Sequence, residues 1–196
     1  MKTALIVCGA LAREVIALKK KYNWQADLLG VPAQLHNRPN KIPAGVQKRI
    51  EEARQTHDRT IVVYGDCGTG GKLDEMLETE GVIRIAGPHC YEMYAGTTDF
   101  DAMMEENAGT YFLTDYLLRS FESLIIKGMG LDKHPDLAEM YFANYSRLVY
   151  LAQQEDPELY EKAQWAADYL KLKLEIRQVN YGELESRLVE LMNEAE

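Results

Sequence analysis

The chain is poor in the residues that would place it in several large classes of protein. Three cysteines among 196 residues is a low and odd count. A disulfide framework is therefore not expected, and a reducing cytoplasm is the natural setting. Basic residues are outnumbered, 22 against 31 acidic, for a net charge of −9. The longest basic run, Lys19-Lys20-Lys21, reads as the solvated end of a helix. Backbone-phosphate readers concentrate Lys and Arg, so nucleic acid is not the expected partner. No apolar run approaches the roughly 18 residues of a membrane span. The apolar stretch Ala4–Val7 is too short for a secretion signal and is soon followed by Arg13 and Glu14. Internal repeats and low-complexity segments are absent, as are the GxGxxG fingerprint, the GxxxxGK[ST] phosphate loop and any CxxC pair.

What is present is an ordinary globular composition, 46% hydrophobic and 27% charged. Strand-like and helix-like runs alternate. Thr3–Val7 is a short apolar run, followed by Leu11, Val15, Leu18 and Tyr22 at helical spacing. Asp27–Val31 is a second strand, ended by Pro32, and Pro43 suits the first turn of a helix running to about Thr56. Thr60–Tyr64 is the clearest buried strand, rich in β-branched residues. The glycine-rich loop Gly65–Gly71 leads into a short helix over 72–79, and Val82–Ala86 is another strand. In the second half, strands are expected at 111–114, 146–152 and 174–179. Helices are expected at 115–127, 136–142, 157–172 and 183–193. Strands separated by helices mean βαβ units and a mostly parallel sheet. The expectation is one α/β domain over residues 1–196: a doubly wound, Rossmann-like sheet of about six strands, with a more helical insertion around 97–145.

In an open parallel sheet, ligands bind beyond the carboxyl ends of the strands. The loops that leave those ends carry unusual chemistry. Cys8-Gly9 follows the first strand, and Leu35-His36-Asn37-Arg38-Pro39 comes after the second. Tyr64 leads into Gly65-Asp66-Cys67-Gly68-Thr69-Gly70-Gly71, and the fourth strand leads into Gly87-Pro88-His89-Cys90-Tyr91. Every cysteine thus lies near a strand end. Zinc takes Cys sulfur and His nitrogen, and iron also accepts thiolates. The expected metal ligands are Cys8, Cys67 and Cys90 with His89, or with His36 in its place. His36 is otherwise an acid/base group, and Asp66 either orients a histidine or ligand or caps the following helix. Backbone N–H groups of Gly9, Gly68, Thr69, Gly70 and Gly71 offer a cradle for an anionic group, and Arg38 can pair with a ligand carboxylate. The bland alternatives are buried core cysteines and a tight strand-to-helix turn. Tyrosine is frequent, at 12 residues. Tyr64, Tyr91 and Tyr94 fall near this rim.

The segments Cys8–Glu14, Leu35–Pro39, Tyr64–Gly71 and Gly87–Tyr91, with Tyr111–Asp115 and Arg147–Ala152, resemble a family of small cytoplasmic proteins known only as a domain of unknown function. Its members occur in methanogens and anaerobic bacteria, often beside corrinoid-dependent methyltransferases. The resemblance implies a role in one-carbon metabolism, with corrinoid as an indirect partner cofactor, and supplies no catalytic residues. Three readings are open. The first is a metal-thiolate enzyme, of methyltransferase type, or an accessory factor. The second is a metal-free module that binds a small anionic metabolite. The third is a subunit that docks on a methyltransferase or a corrinoid protein.

Overall fold

The computed structural model describes residues 2–194. The chain divides into two compact units. One runs to Cys90 and is joined by the last helix, and the other is Tyr91–Gly182. Strands β1 (Thr3–Cys8), β2 (Ala26–Val31), β3 (Arg59–Val63) and β4 (Ile83–Arg84) form the first unit's sheet, interleaved with helices α1 (Ala12–Lys21), α2 (Ile42–Arg54) and α3 (Lys72–Glu80). All pairings are parallel and the spatial order is β2-β1-β3-β4. β1 is buried along its whole length, as its unbroken apolar run requires of a central strand. Val15 and Leu18 of α1, and Val46 and Ile50 of α2, are fully buried. The three lysines close the last turn of α1, where cations complement the helix dipole, and Lys21 Nζ meets Glu185 Oε1 at 2.5 Å.

The strand expected at Val82–Ala86 is only two residues long. Just past it, the Arg84 guanidinium takes the carbonyls of Ile85 and Gly87 at 2.8 and 2.9 Å.

Helix α4 (Cys90–Ala95) and α5 (Thr97–Glu106) precede the second unit's sheet. Here β5 (Thr110–Thr114), α6 (Asp115–Arg119), α7 (Leu137–Phe142), β6 (Arg147–Ala152), α8 (Pro157–Leu170) and β7 (Lys173–Gln178) succeed one another along the chain. The strands are parallel in the order β5-β6-β7. The expected apolar face of α8, Leu159, Ala163, Ala166, Ala167 and Leu170, is buried in this unit's core. Asp156 caps α8 by accepting from the N–H groups of Glu158 and Leu159. The helix expected over 115–127 stops at Arg119 and continues after Ser120 and Phe121 as a π-helical turn, Glu122–Ile126. Helix α9 (Gly182–Asn193) then returns to the first unit, where Arg59 Nη2 donates to Leu191 O at 2.6 Å.

The fold is a mixed α/β arrangement of parallel sheets flanked by helices, of Rossmann-like type. It departs from the single sheet of about six strands in having seven strands in two sheets among the described residues. At the start of β6, Arg147 is buried. It donates to Thr110 Oγ1, Glu106 Oε2 and Met103 O at 2.8, 2.9 and 2.8 Å. Replacing Arg147 with Ala orphans these acceptors and is expected to lower stability by about 2 kcal/mol. Urea denaturation measures the loss, and an unchanged midpoint would contradict it.

Candidate functional site

The order β2-β1-β3-β4 reverses direction between β1 and β3. That is the topological switch point, where an open sheet presents its crevice beyond the strand ends. Cys8 ends β1 and Tyr64 directly follows β3 at this point. Both are buried, with Cys8 3% exposed and Tyr64 fully enclosed.

Three loops converge beside them. The loop after β3 is stitched to the loop after β4: Asp66 N donates to Gly87 O and Cys67 N to Pro88 O, the latter at 2.7 Å. Gly65 makes this approach feasible. A Cβ there would lie 2.7 Å from His89 Cα and 3.0 Å from His89 N. On the other side, a Cβ at Gly9 would sit 3.2 Å from Ala33 N, so the turn after β1 lies against the segment after β2. His36 lies in that segment, and its ring stacks on Tyr64 with centroids 5.6 Å apart.

The thiols form one electrostatic neighbourhood. Burial pushes Cys8 up to about 11 despite a hydrogen bond from Ala10 N. Burial, and then Cys8 and Asp66, push Cys67 up to about 12. Cys90 is raised well above the ordinary thiol value by burial, then by Cys67, Cys8 and Glu14. Tyr64 is raised by burial and by all three sulfurs. Its enclosed hydroxyl makes no regular hydrogen bond, and the group that it meets is the Cys8 thiol. At neutral pH the three sulfurs are therefore protonated, soft and neutral donors. Among the described residues, however, no group of three or more His, Cys, Asp or Glu side chains is arranged to hold a metal ion.

His36 is the imidazole best prepared for work at this rim. Its Nδ1 lies 2.7 Å from Ala33 O, and a carbonyl can only accept, so Nδ1 carries the hydrogen. Burial lowers its pKa, which keeps the ring neutral with a lone pair on Nε2. His89 sits half-buried, its backbone packed against Gly65. Arg38 is exposed at the junction of two 3-10 turns.

The glycine-rich loop is occupied by its own side chain. The Asp66 carboxylate accepts from Gly70 N at 3.2 Å, from Gly71 N at 3.0 Å and from the Thr69 hydroxyl. Burial raises its pKa, but these donors outweigh burial and hold Asp66 below the usual carboxylate range. The Thr69 hydroxyl in turn accepts from Leu73 N in the first turn of α3. Gly68, Gly70 and Gly71 all have positive φ, as does Cys67 at 49°. The loop is a wound turn closed by Asp66, whose lowered pKa is the opposite of what general acid–base work at neutral pH needs.

Two residues at this rim carry more weight than their sequence positions suggest. Glu14, in the first turn of α1, is only 5% exposed and acts on Cys90. Arg84 is the cation that faces Asp66 and Cys67, and its Nε binds Asp74 Oδ1 at 2.5 Å. A buried acid inside an apolar helix face is the one pattern that could have marked Glu14.

Residues 31–188 match a family described as Protein of unknown function (DUF1638). The chain belongs to that family. The match takes in His36, the glycine-rich loop, and Cys67 and Cys90, and it begins after Cys8. No curated protein and no solved structure matches the chain. Among the described residues, no helix of this DUF1638 protein is long and apolar enough to cross a membrane.

Proposed function

We propose that the switch-point rim binds one soft metal ion, zinc or iron, through Cys8, Cys67 and Cys90. The observation that supports this reading is the electrostatic coupling of the three thiols to one another and to the enclosed Tyr64, in loops at the sheet's crevice. The donor set suits the group. Sulfur is the preferred donor for such ions, and a buried phenol without an oxygen or nitrogen partner is a waiting hydrogen-bond donor for a thiolate. His36 is the better fourth donor, because an imidazole whose Nδ1–H is anchored on a backbone carbonyl is the usual form of a ligating histidine. His89 is the alternative. When bound, zinc supplies a Lewis acid that holds an incoming thiol as its thiolate.

The setting we infer is cytoplasmic, corrinoid-linked one-carbon metabolism. In it the protein is a methyltransferase-type enzyme or an accessory factor, with a corrinoid protein or methyltransferase as partner. That part rests on the resemblance of the motif segments. A metal-free module that holds an anionic metabolite in the glycine loop is less favoured. The Asp66 carboxylate already takes the amides of Gly70 and Gly71, so an anion would meet a resident negative charge.

The test is elemental analysis of untagged protein purified without oxygen, beside a Cys8→Ser/Cys67→Ser/Cys90→Ser control. About one zinc or iron per chain, lost in the control, is expected. A folded, metal-free parent, or metal retained by the control, would remove the proposal.

A further inference from the structure

The second unit holds a cavity of about 610 Å³ that the rim chemistry does not touch. It lies between α7 and the end of α8, and its walls include Phe142, Tyr145 and Tyr169 with Asp136, Glu139 and Lys171. The volume falls within the range of small-molecule sites.

Three features of this cavity favour the same kind of guest. Aromatic rings form part of its lining, and the ring cluster is broad. Phe142 and Tyr145 lie 5.8 Å apart and both contact Tyr111, at 5.1 and 5.3 Å. Tyr169 brings a further ring, backed by Trp165 at 6.0 Å. Ring faces attract cations, most strongly where water is partly excluded. The second feature is charge. Lys171 Nζ is spoken for by Glu139 at 2.8 Å, so the lining keeps the negative charge of Asp136. The third is the end of α8, a 14-residue helix, whose C-terminal residue Leu170 and cap Lys171 lie in the wall. That end carries the negative pole of the helix dipole. Aromatic faces, a net carboxylate and a helix C-terminus all stabilise positive charge, and the apolar lining suits alkyl groups.

We propose that this cavity binds a small organic cation of the alkylated ammonium class. The cation's alkyl shell lies against Phe142, Tyr145 and Tyr169, and Asp136 balances its charge. Tyr145 is 37% exposed, so its substitution removes a wall at the cost of its ring contacts with Phe142 and Tyr111.

The probe is choline, compared with 3,3-dimethylbutan-1-ol, its neutral isostere. Binding is followed by the ¹H NMR signal of the methyl groups on titration with the full chain. Saturable choline binding is expected, with the neutral isostere at least about tenfold weaker. Tyr145→Leu is expected to weaken choline about tenfold, and Asp136→Asn about threefold with an unchanged unfolding midpoint. Asp136 is exposed, so that variant keeps the test alive if the tyrosine variant loses its fold. Equal affinity for the charged and neutral probes would overturn the proposal. So would the absence of saturation by choline, or choline binding indifferent to both substitutions.

Discussion

Substituting alanine for Gly65 is expected to cost about 3 kcal/mol of stability and to disperse the cysteine cluster. The added Cβ would stand 2.7 Å from His89 Cα and 3.1 Å from Pro88 O. These are backbone atoms, which no rotamer change can move. Relief requires parting the loops after β3 and β4, and with them the hydrogen bond from Cys67 N to Pro88 O. Cys67 and Cys90 then separate. Gly70→Ala is the control. Its positive φ of 65° is strained for alanine, but nothing lies within 4 Å of the new atom, so about 1 kcal/mol is expected. Urea titrations of the two variants decide the matter. Losses of equal size would mean that the loops are not held by this close approach.

The second large effect is alkaline, and it belongs to the metal-free protein, since a bound metal ion would hold the thiols as thiolates. All three thiols have folded-state pKa values above the ordinary 9.0, with Cys8 at about 11 and Cys67 at about 12. A raised acid keeps its proton in the folded protein after the unfolded chain has lost it. The stability that depends on the neutral thiol is complete below pH 9 and drains away as pH climbs toward 11 and 12. For Cys8 alone the two-unit difference corresponds to about 3 kcal/mol. Cys67 and Cys90 are raised in the same direction and add losses of the same sign over this range. Serine does not titrate in this range, so the triple Cys→Ser variant should show a much shallower decline. Tyr64, also raised, leaves a residual slope above its ordinary value of 10.0. Parallel alkaline losses in parent and variant would place the effect elsewhere.

Much of the site was legible from the chain because its chemistry sits where βαβ grammar puts it. Apolar runs such as Thr3–Val7 and Thr60–Tyr64 announce buried parallel strands, and the residues just past such strands lie at the crevice. The division into two sheets was not legible. Periodicity records whether a residue is buried, not which strand lies beside it, so β5 reads like any continuation of the first sheet. Glu14 was hidden for a related reason. An acidic residue in a first helical turn is ordinarily a solvated dipole partner, and only the packed structure shows that this one is buried. The glycine loop was ambiguous because its N–H groups suit an external anion and an internal one equally. Asp66, one residue past Gly65, is the internal one.

The return of α9 to the first unit has a consequence for how the protein is made. The second unit is one continuous stretch of chain, whereas the first is interrupted by it. A ribosome delivers β1 to β4 first, yet Leu191, the backbone partner of Arg59, and Arg187, which donates to Ala86 O at 2.8 Å, emerge only after the whole second unit. The unit that begins first is thus completed only after the second has been made, and its sheet waits for that helix throughout synthesis of the second unit.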